Sequence, residues 1–86
     1  YPNPFSTETT ISFTLAQEEP IHLAIYDNNG RFVRNLIDGS SIPAGKYTVV
    51  WDGKNGWGKE QPAGVYFCKL QGKGVSKTER MILIGR

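Results

Sequence analysis

WDGKNGWGKEQPAGVYFCKL, running from Trp51 to Leu70, joins two apolar strands through a polar, glycine-rich excursion. On the incoming side Tyr47, Val49 and Trp51 alternate with Lys46, Thr48 and Val50, the two-residue period of a half-buried strand. On the outgoing side Tyr66, Cys68 and Leu70 alternate in the same way with Val65, Phe67 and Lys69. Between them Asp52-Gly53, Asn55-Gly56 and Gly58 supply turn residues, and Pro62-Ala63-Gly64 punctuates the approach to the second strand. The rest of the chain is expected to pack around this strand-loop-strand unit.

Upstream, Tyr1-Pro2-Asn3-Pro4-Phe5 is too proline-dense for a helix or a central strand, so residues 1–8 read as an extended lead-in whose aromatic ends pack on the domain edge. Ile11, Phe13 and Leu15 point inward from a first strand, Thr9 to Leu15. Gln17-Glu18-Glu19-Pro20 reads as a polar turn. Ile21, Leu23 and Ile25 then alternate against His22, Ala24 and Tyr26 in a second strand. Asp27-Asn28-Asn29-Gly30 predicts a hairpin into a third strand, about Arg31 to Leu36. Asp38 to Gly45 reads as loop.

Downstream, Gly72-Lys73-Gly74 turns the chain into a last strand, Val75 to Ile84, whose second half is apolar on both faces and is therefore expected to be central or covered. With a short seventh strand around Trp57 to Gln61, the pattern gives an all-β, immunoglobulin-like antiparallel β-sandwich of about seven strands, a single domain over residues 1–86. No apolar stripe at helical spacing exceeds two turns.

Eighty-six residues bury only about 60–65% of the surface of the unfolded chain, leaving one thin core and little volume for a deep enzyme pocket. Ten basic and eight acidic residues are scattered singly, with a net charge of +2, which argues against nucleic acid as a partner. No apolar run approaches the roughly 20 residues of a transmembrane helix, and the sequence shows no n-region plus h-region pattern of a signal peptide. With its start at Tyr1 rather than methionine, the chain is expected to be one module of a longer protein.

The single cysteine, Cys68, takes an inward strand position and is read as a small core residue rather than a reactive thiol. His22 falls on an outward face with no second ligand at metal-site spacing. Asp27-Asn28-Asn29-Gly30 and Asp52-Gly53-Lys54-Asn55-Gly56 resemble acidic metal loops superficially. Lys54 sits where the second would need an oxygen, and the first has no later carboxylate, so both read as turns. No catalytic, cofactor-binding or metal-binding constellation emerges. Trp57, Tyr26 and Phe67 invite comparison with a glycan-stacking surface; Trp57 is expected instead to fold back as a lid over the sandwich end, with Tyr26 and Phe67 covering the outer sheet.

YPNPF at the start, IYDNNGRFVRNL at Ile25 to Leu36, PAGKYTVVWDG at Pro43 to Gly53, PAGVYFCKL at Pro62 to Leu70 and the ending MILIGR together resemble, over the whole chain, the type A C-terminal sorting domain of type IX secretion system cargo. The WDG and GVYF segments are also similar to the immunoglobulin-like domain of the flagellar hook-capping protein. The first resemblance implies a non-catalytic secretion and sorting signal of the Bacteroidetes type. Such a domain directs a parent cargo protein through the periplasm to the cell surface or the medium. Its implied partners are the outer-membrane secretion machinery and a sortase-like peptidase. It carries over Pro2, Asn3 and Pro4 as an opening motif, Gly64 and Tyr66 as a central motif, and Lys77 with Met81, Ile82, Leu83, Ile84 and Arg86 as a terminal motif. Gly85 interrupts the apolar run before the basic end. Presented at a sheet edge, the terminal strand would pair with a receptor strand, or with a second copy as an edge-strand dimer. Truncation of Leu83 to Arg86 is expected to abolish export and spare the fold. The alternative is an accessory module of a secreted hydrolase that binds glycan or packs on the catalytic domain; a structural assembly role like that of the hook cap is a third reading.

Overall fold

The computed structural model describes residues 4–85. They form six strands: β1 (Thr9–Leu15), β2 (Glu19–Asp27), β3 (Phe32–Ile42), β4 (Gly45–Trp51), β5 (Gly64–Gln71) and β6 (Ser76–Leu83). β1 and β4 pair as one antiparallel sheet, and the order β3-β2-β5-β6 makes the other. Two hairpins, β2–β3 and β5–β6, lie within the larger sheet. The links β1–β2, β3–β4 and β4–β5 each change sheet, so the excursion after Trp51 crosses the sandwich instead of closing a hairpin.

The two-residue period places the core as the sequence predicts. Ile11, Phe13 and Leu15 of β1 and Trp51 of β4 face Ile21, Leu23 and Ile25 of β2, Tyr66, Cys68 and Leu70 of β5 and Met81 and Leu83 of β6, all buried. Register locks this arrangement, because a one-residue slip would turn every one of these side chains to the solvent. Phe13 stacks on Tyr47 across the β1–β4 pair, with centroids 5.4 Å apart.

PAGKY at Pro43 to Tyr47 and PAGVY at Pro62 to Tyr66 fold alike. In each the tyrosine hydroxyl donates to the proline carbonyl four residues back, at 2.6 Å. The closed loop fixes the angle at which β4 and β5 leave their connections, a constraint of the kind seen when a tyrosine hydroxyl ties a sandwich corner.

Several expectations are corrected. The third strand runs on to Ile42 through Asp38-Gly39-Ser40-Ser41, which the turn-rich composition marked as loop. Asp38 still pairs with His22 and Ser41 with Pro20, and the intervening register shift is a bulge. Gly39 sits in that shift with φ +80, a backbone conformation that costs other residues about 1–2 kcal/mol. A bulge thus uses the same residue types as a turn. Glu19, assigned to the preceding turn, opens β2 and is buried, its Oε1 accepting the Gly74 N–H at 2.9 Å. The carboxylate reaches 55 residues along the chain to pin the β5–β6 turn. No seventh strand occurs among the described residues; Lys54 and Glu60 form only an isolated bridge. Of the two readings of β6, central or covered, the second holds, since β6 is an edge strand. Its cover comes from outside the sheet, where Phe5 makes a parallel bridge with Leu83.

A Cβ built at Gly39 would lie 3.0 Å from the His22 ring, but that ring is exposed and free to move, so the backbone conformation dominates the penalty. Gly39→Ala should therefore lower stability by about 1–2 kcal/mol in urea unfolding, and His22→Ala in the same chain should restore little of it. Full rescue by His22→Ala would assign the cost to the side-chain contact instead.

Candidate functional site

Phe5 decides where the terminal motifs lie. Its N–H donates to the Ile82 carbonyl at 2.9 Å, and the Ile84 N–H donates back to the Phe5 carbonyl at 2.8 Å. The ring is buried, meeting the edge of Trp51 at a centroid distance of 5.5 Å. Trp51 in turn meets Tyr66 at 5.1 Å. Phe5 therefore belongs to the core, not to the domain edge where the sequence placed it. Pro4 precedes it on the surface. A proline there costs no ladder bond, and it holds the chain extended where the bridge begins.

Most of the residues singled out by sequence come together at this end. Across the β5–β6 pair Gly64 lies opposite Leu83, Val65 opposite Ile82 and Tyr66 opposite Met81. Pro4, Gly64, Tyr66 and the segment Met81 to Ile84 thus meet at one end of the sandwich, with Pro4, Gly64 and Ile84 exposed over the buried Tyr66, Met81 and Leu83. Lys77 does not join it. It pairs with Leu70 farther down the ladder, and its ammonium contacts Glu79 Oε1 at 3.7 Å. Pro2, Asn3 and Arg86 lie outside the described residues.

Within the terminal motif the side chains divide by face. Met81 and Leu83 are core residues, Ile82 is half-buried, and Ile84 is 46% exposed. Truncation from Leu83 would remove a side chain that is only 1% exposed. The expectation that such a cut spares the fold is therefore wrong, and an informative cut must begin at Ile84.

Cys68 is buried among Ile11, Phe13, Leu23 and Leu70, and burial, reinforced by the Glu79 carboxylate, pushes its thiol up to about 12. It is a packing residue with no thiolate at neutral pH. His22 faces outward with Nδ1 4.0 Å from Asp38. The two acidic turns use their carboxylates internally. Asp27 Oδ1 accepts the N–H groups of Asn29 and Arg31, both at 2.9 Å, and these bonds, the Arg31 one foremost, hold its carboxyl below the usual range. Asp52 Oδ1 accepts from the Lys54 N–H at 3.1 Å and from Arg34 Nη1 at 3.2 Å. Among the described residues no group of three or more ligating side chains could hold a metal ion.

Trp57 overturns the lid expectation: it is 93% exposed. Asn55 is the cause. Its Oδ1 accepts from the N–H groups of Trp57 and Lys59, each at 3.0 Å, and its backbone carbonyl accepts from Gly58 N–H at 3.0 Å, closing a turn that projects the indole away from the sandwich. The Asn55-Gly56 pair signals that turn in the sequence, although not the direction of the ring. Tyr26 and Phe67 do lie side by side on the outer face of the larger sheet, with the Lys69 ammonium 4.8 Å from the Tyr26 ring centroid.

A family model described as the FlgD Ig-like domain matches residues 3–75. The match therefore stops short of β6. Among solved structures, FlgD from P. aeruginosa is similar to the chain with a TM-score of 0.66 and 26% identity. The similarity covers 87% of this chain and 58% of that one, so the chain spans less than two-thirds of that relative. No curated protein matches.

Two measurements check this site. Phe5→Ala removes a core ring that lies outside every strand, and should cost about 3–5 kcal/mol in denaturant unfolding; a surface lead-in would lose less than about 0.5 kcal/mol. For Cys68 the folded thiol titrates above the unfolded one, so the unfolded chain releases its proton first as pH rises. Relative to Cys68→Ala, the native chain should keep its stability below about pH 9 and lose about 1.4 kcal/mol per pH unit between there and about pH 12. Parallel pH profiles for the two proteins would show the thiol to be solvated.

Proposed function

Because the chain belongs to the FlgD Ig-like domain family, we propose that it is a non-catalytic recognition module, and that its task is to serve as a C-terminal sorting signal for a parent cargo protein. The observation that carries this reading is the bridge between Phe5 and Leu83. The opening and terminal motifs of the sorting resemblance sit at opposite ends of the sequence, yet Phe5 is hydrogen-bonded to both neighbours of Leu83. A receptor meeting this surface would read the two chain ends as one folded epitope, not as a linear tag. The family match ends before β6, so the strand carrying the terminal motif lies outside what the chain shares with that family model.

Recognition would then rest on exposed features of this end of the sandwich. Ile84 supplies apolar area beside the Phe5–Leu83 bridge, and a partner strand would pair with β6 farther from that bridge, where β6 is the sheet edge. Folding and recognition are coupled through Leu83, whose burial holds the terminal residues in place. The route implied is through the periplasm and an outer-membrane channel to the cell surface or the medium, with a sortase-like peptidase acting on the delivered cargo.

A reporter followed by residues 1–86, behind a signal peptide, tests the proposal in a bacterium with a type IX system and in a strain lacking its outer-membrane channel. Surface or medium reporter only when the channel is present is the expected result. Deletion of residues 84–86 should abolish that export and lower stability by only about 0.5–1.5 kcal/mol, the net worth of the lost Ile84 hydrogen bond. Folded reporter held in the periplasm of both strains would overturn the sorting reading and favour an assembly role of the hook-cap kind.

A further inference from the structure

The loop that projects Trp57 also builds a cleft, of about 580 Å³, between itself and the start of β3. That size lies within the roughly 300–1,000 Å³ of small-molecule clefts. Phe32 and Trp57 flank it, 56% and 93% exposed, and Val33, Arg34, Asn35, Asn55, Gly56 and Gln61 complete its lining. Two large aromatic rings left in water on one small domain are costly unless something covers them.

The Phe32 ring and the backbone that carries Trp57 are both held in place. Phe32 packs edge-on against Tyr26, with centroids 6.0 Å apart. Trp57 rides on the Asn55-capped turn, and the loop is tied at its far side by the Gln61 N–H to the Gly53 carbonyl at 3.0 Å and by the Trp51 Nε1–H to the Lys54 carbonyl at 2.9 Å. A rigid platform keeps the ordering cost of binding low. Arg34 borders the cleft with a side chain 29% exposed, its Nη1 committed to Asp52.

We infer that this cleft is a binding site for a neutral saccharide, taken flat against Trp57 with its hydroxyl rim toward Arg34 and the side-chain amides. A pyranose ring has an apolar C–H face and a polar edge, which matches an aromatic wall bordered by groups that both donate and accept. Asp52 already neutralises Arg34, so the cleft favours hydroxyls over phosphate or carboxylate. The inference stands independently of the sorting proposal, since Trp57 and Phe32 lie outside the surface formed by Phe5 and β6.

The test is a titration of the ¹⁵N-labelled chain with cellohexaose, chitohexaose and mannohexaose at millimolar concentration, beside a proline-rich decapeptide. At least one hexasaccharide should give saturable shifts confined to the amides around Phe32 to Asn35 and Asn55 to Gln61. Trp57→Ala should weaken that binding about tenfold or more, equivalent to about 1.4 kcal/mol, with an unchanged melting temperature because the ring supports no core packing. No saturable shift with any of the three sugars, shifts centred elsewhere, full affinity in Trp57→Ala, or binding of the peptide alone would each overturn the assignment.

Discussion

The indole of Trp51 is the constraint on which the rest of the structure depends. It lies at the end of β4, in the smaller sheet, and its edge contacts reach Tyr66 in the larger sheet and Phe5 in the lead-in. Its Nε1–H is satisfied by the Lys54 carbonyl, so the ring is buried without an orphaned donor. A tryptophan removes some 150–250 Å² from water on burial, worth roughly 4–6 kcal/mol at about 25 cal/mol per Å². Set against a total stability of about 5–15 kcal/mol for a small domain, one residue holds the two sheets, the amino-terminal segment and the start of the crossing loop in a single arrangement.

That placement explains why two stretches of irregular chain are ordered. Residues 52 to 63 carry few apolar side chains, yet the loop is pinned at Lys54 by the indole, at Asp52 by Arg34, and internally by Asn55. The lead-in has the opposite character. Among its described residues it contributes one apolar ring, and that ring completes the far side of Trp51 while its backbone extends the β5–β6 edge by one bridge. Polar capping orders the first segment, and apolar burial orders the second.

How far the sequence disclosed this follows from what kind of signal each feature leaves. Period-two alternation is a signal of face, so Ile11, Phe13 and Leu15, or Tyr66, Cys68 and Leu70, were legible directly, and with them the strands and the sandwich. Alternation carries no record of neighbours, which is why β6 could be read only as central or covered, and the fold shows it to be an edge covered by Phe5. Asp38-Gly39 and Glu19 failed for a related reason. A glycine at positive φ serves a turn or a bulge equally, and a glutamate beside a turn looks solvated unless its partner, here the Gly74 amide, is known. Trp57 was visible as an aromatic in a polar loop, but its direction depends on hydrogen bonds to Asn55 that composition does not encode.

The motifs shared with the sorting resemblance acquire separate physical jobs once placed in the fold. Gly64 and Tyr66 belong to a corner clamp repeated at Pro43 to Tyr47, so their pattern is accounted for by how β4 and β5 leave their loops. Met81 and Leu83 are accounted for by the core. What packing leaves unexplained is narrower: the apolar Ile84 on the surface, and a proline before Phe5 at the point where the two chain ends meet. The same end of the sandwich carries the Trp57 cleft, on the β3 flank of the larger sheet, while the joined termini occupy the β6 flank. The opposite end, where Glu19 binds the Gly72–Gly74 turn, is committed to internal contacts. Exposed apolar side chains therefore concentrate at one pole of the domain, on either side of β5.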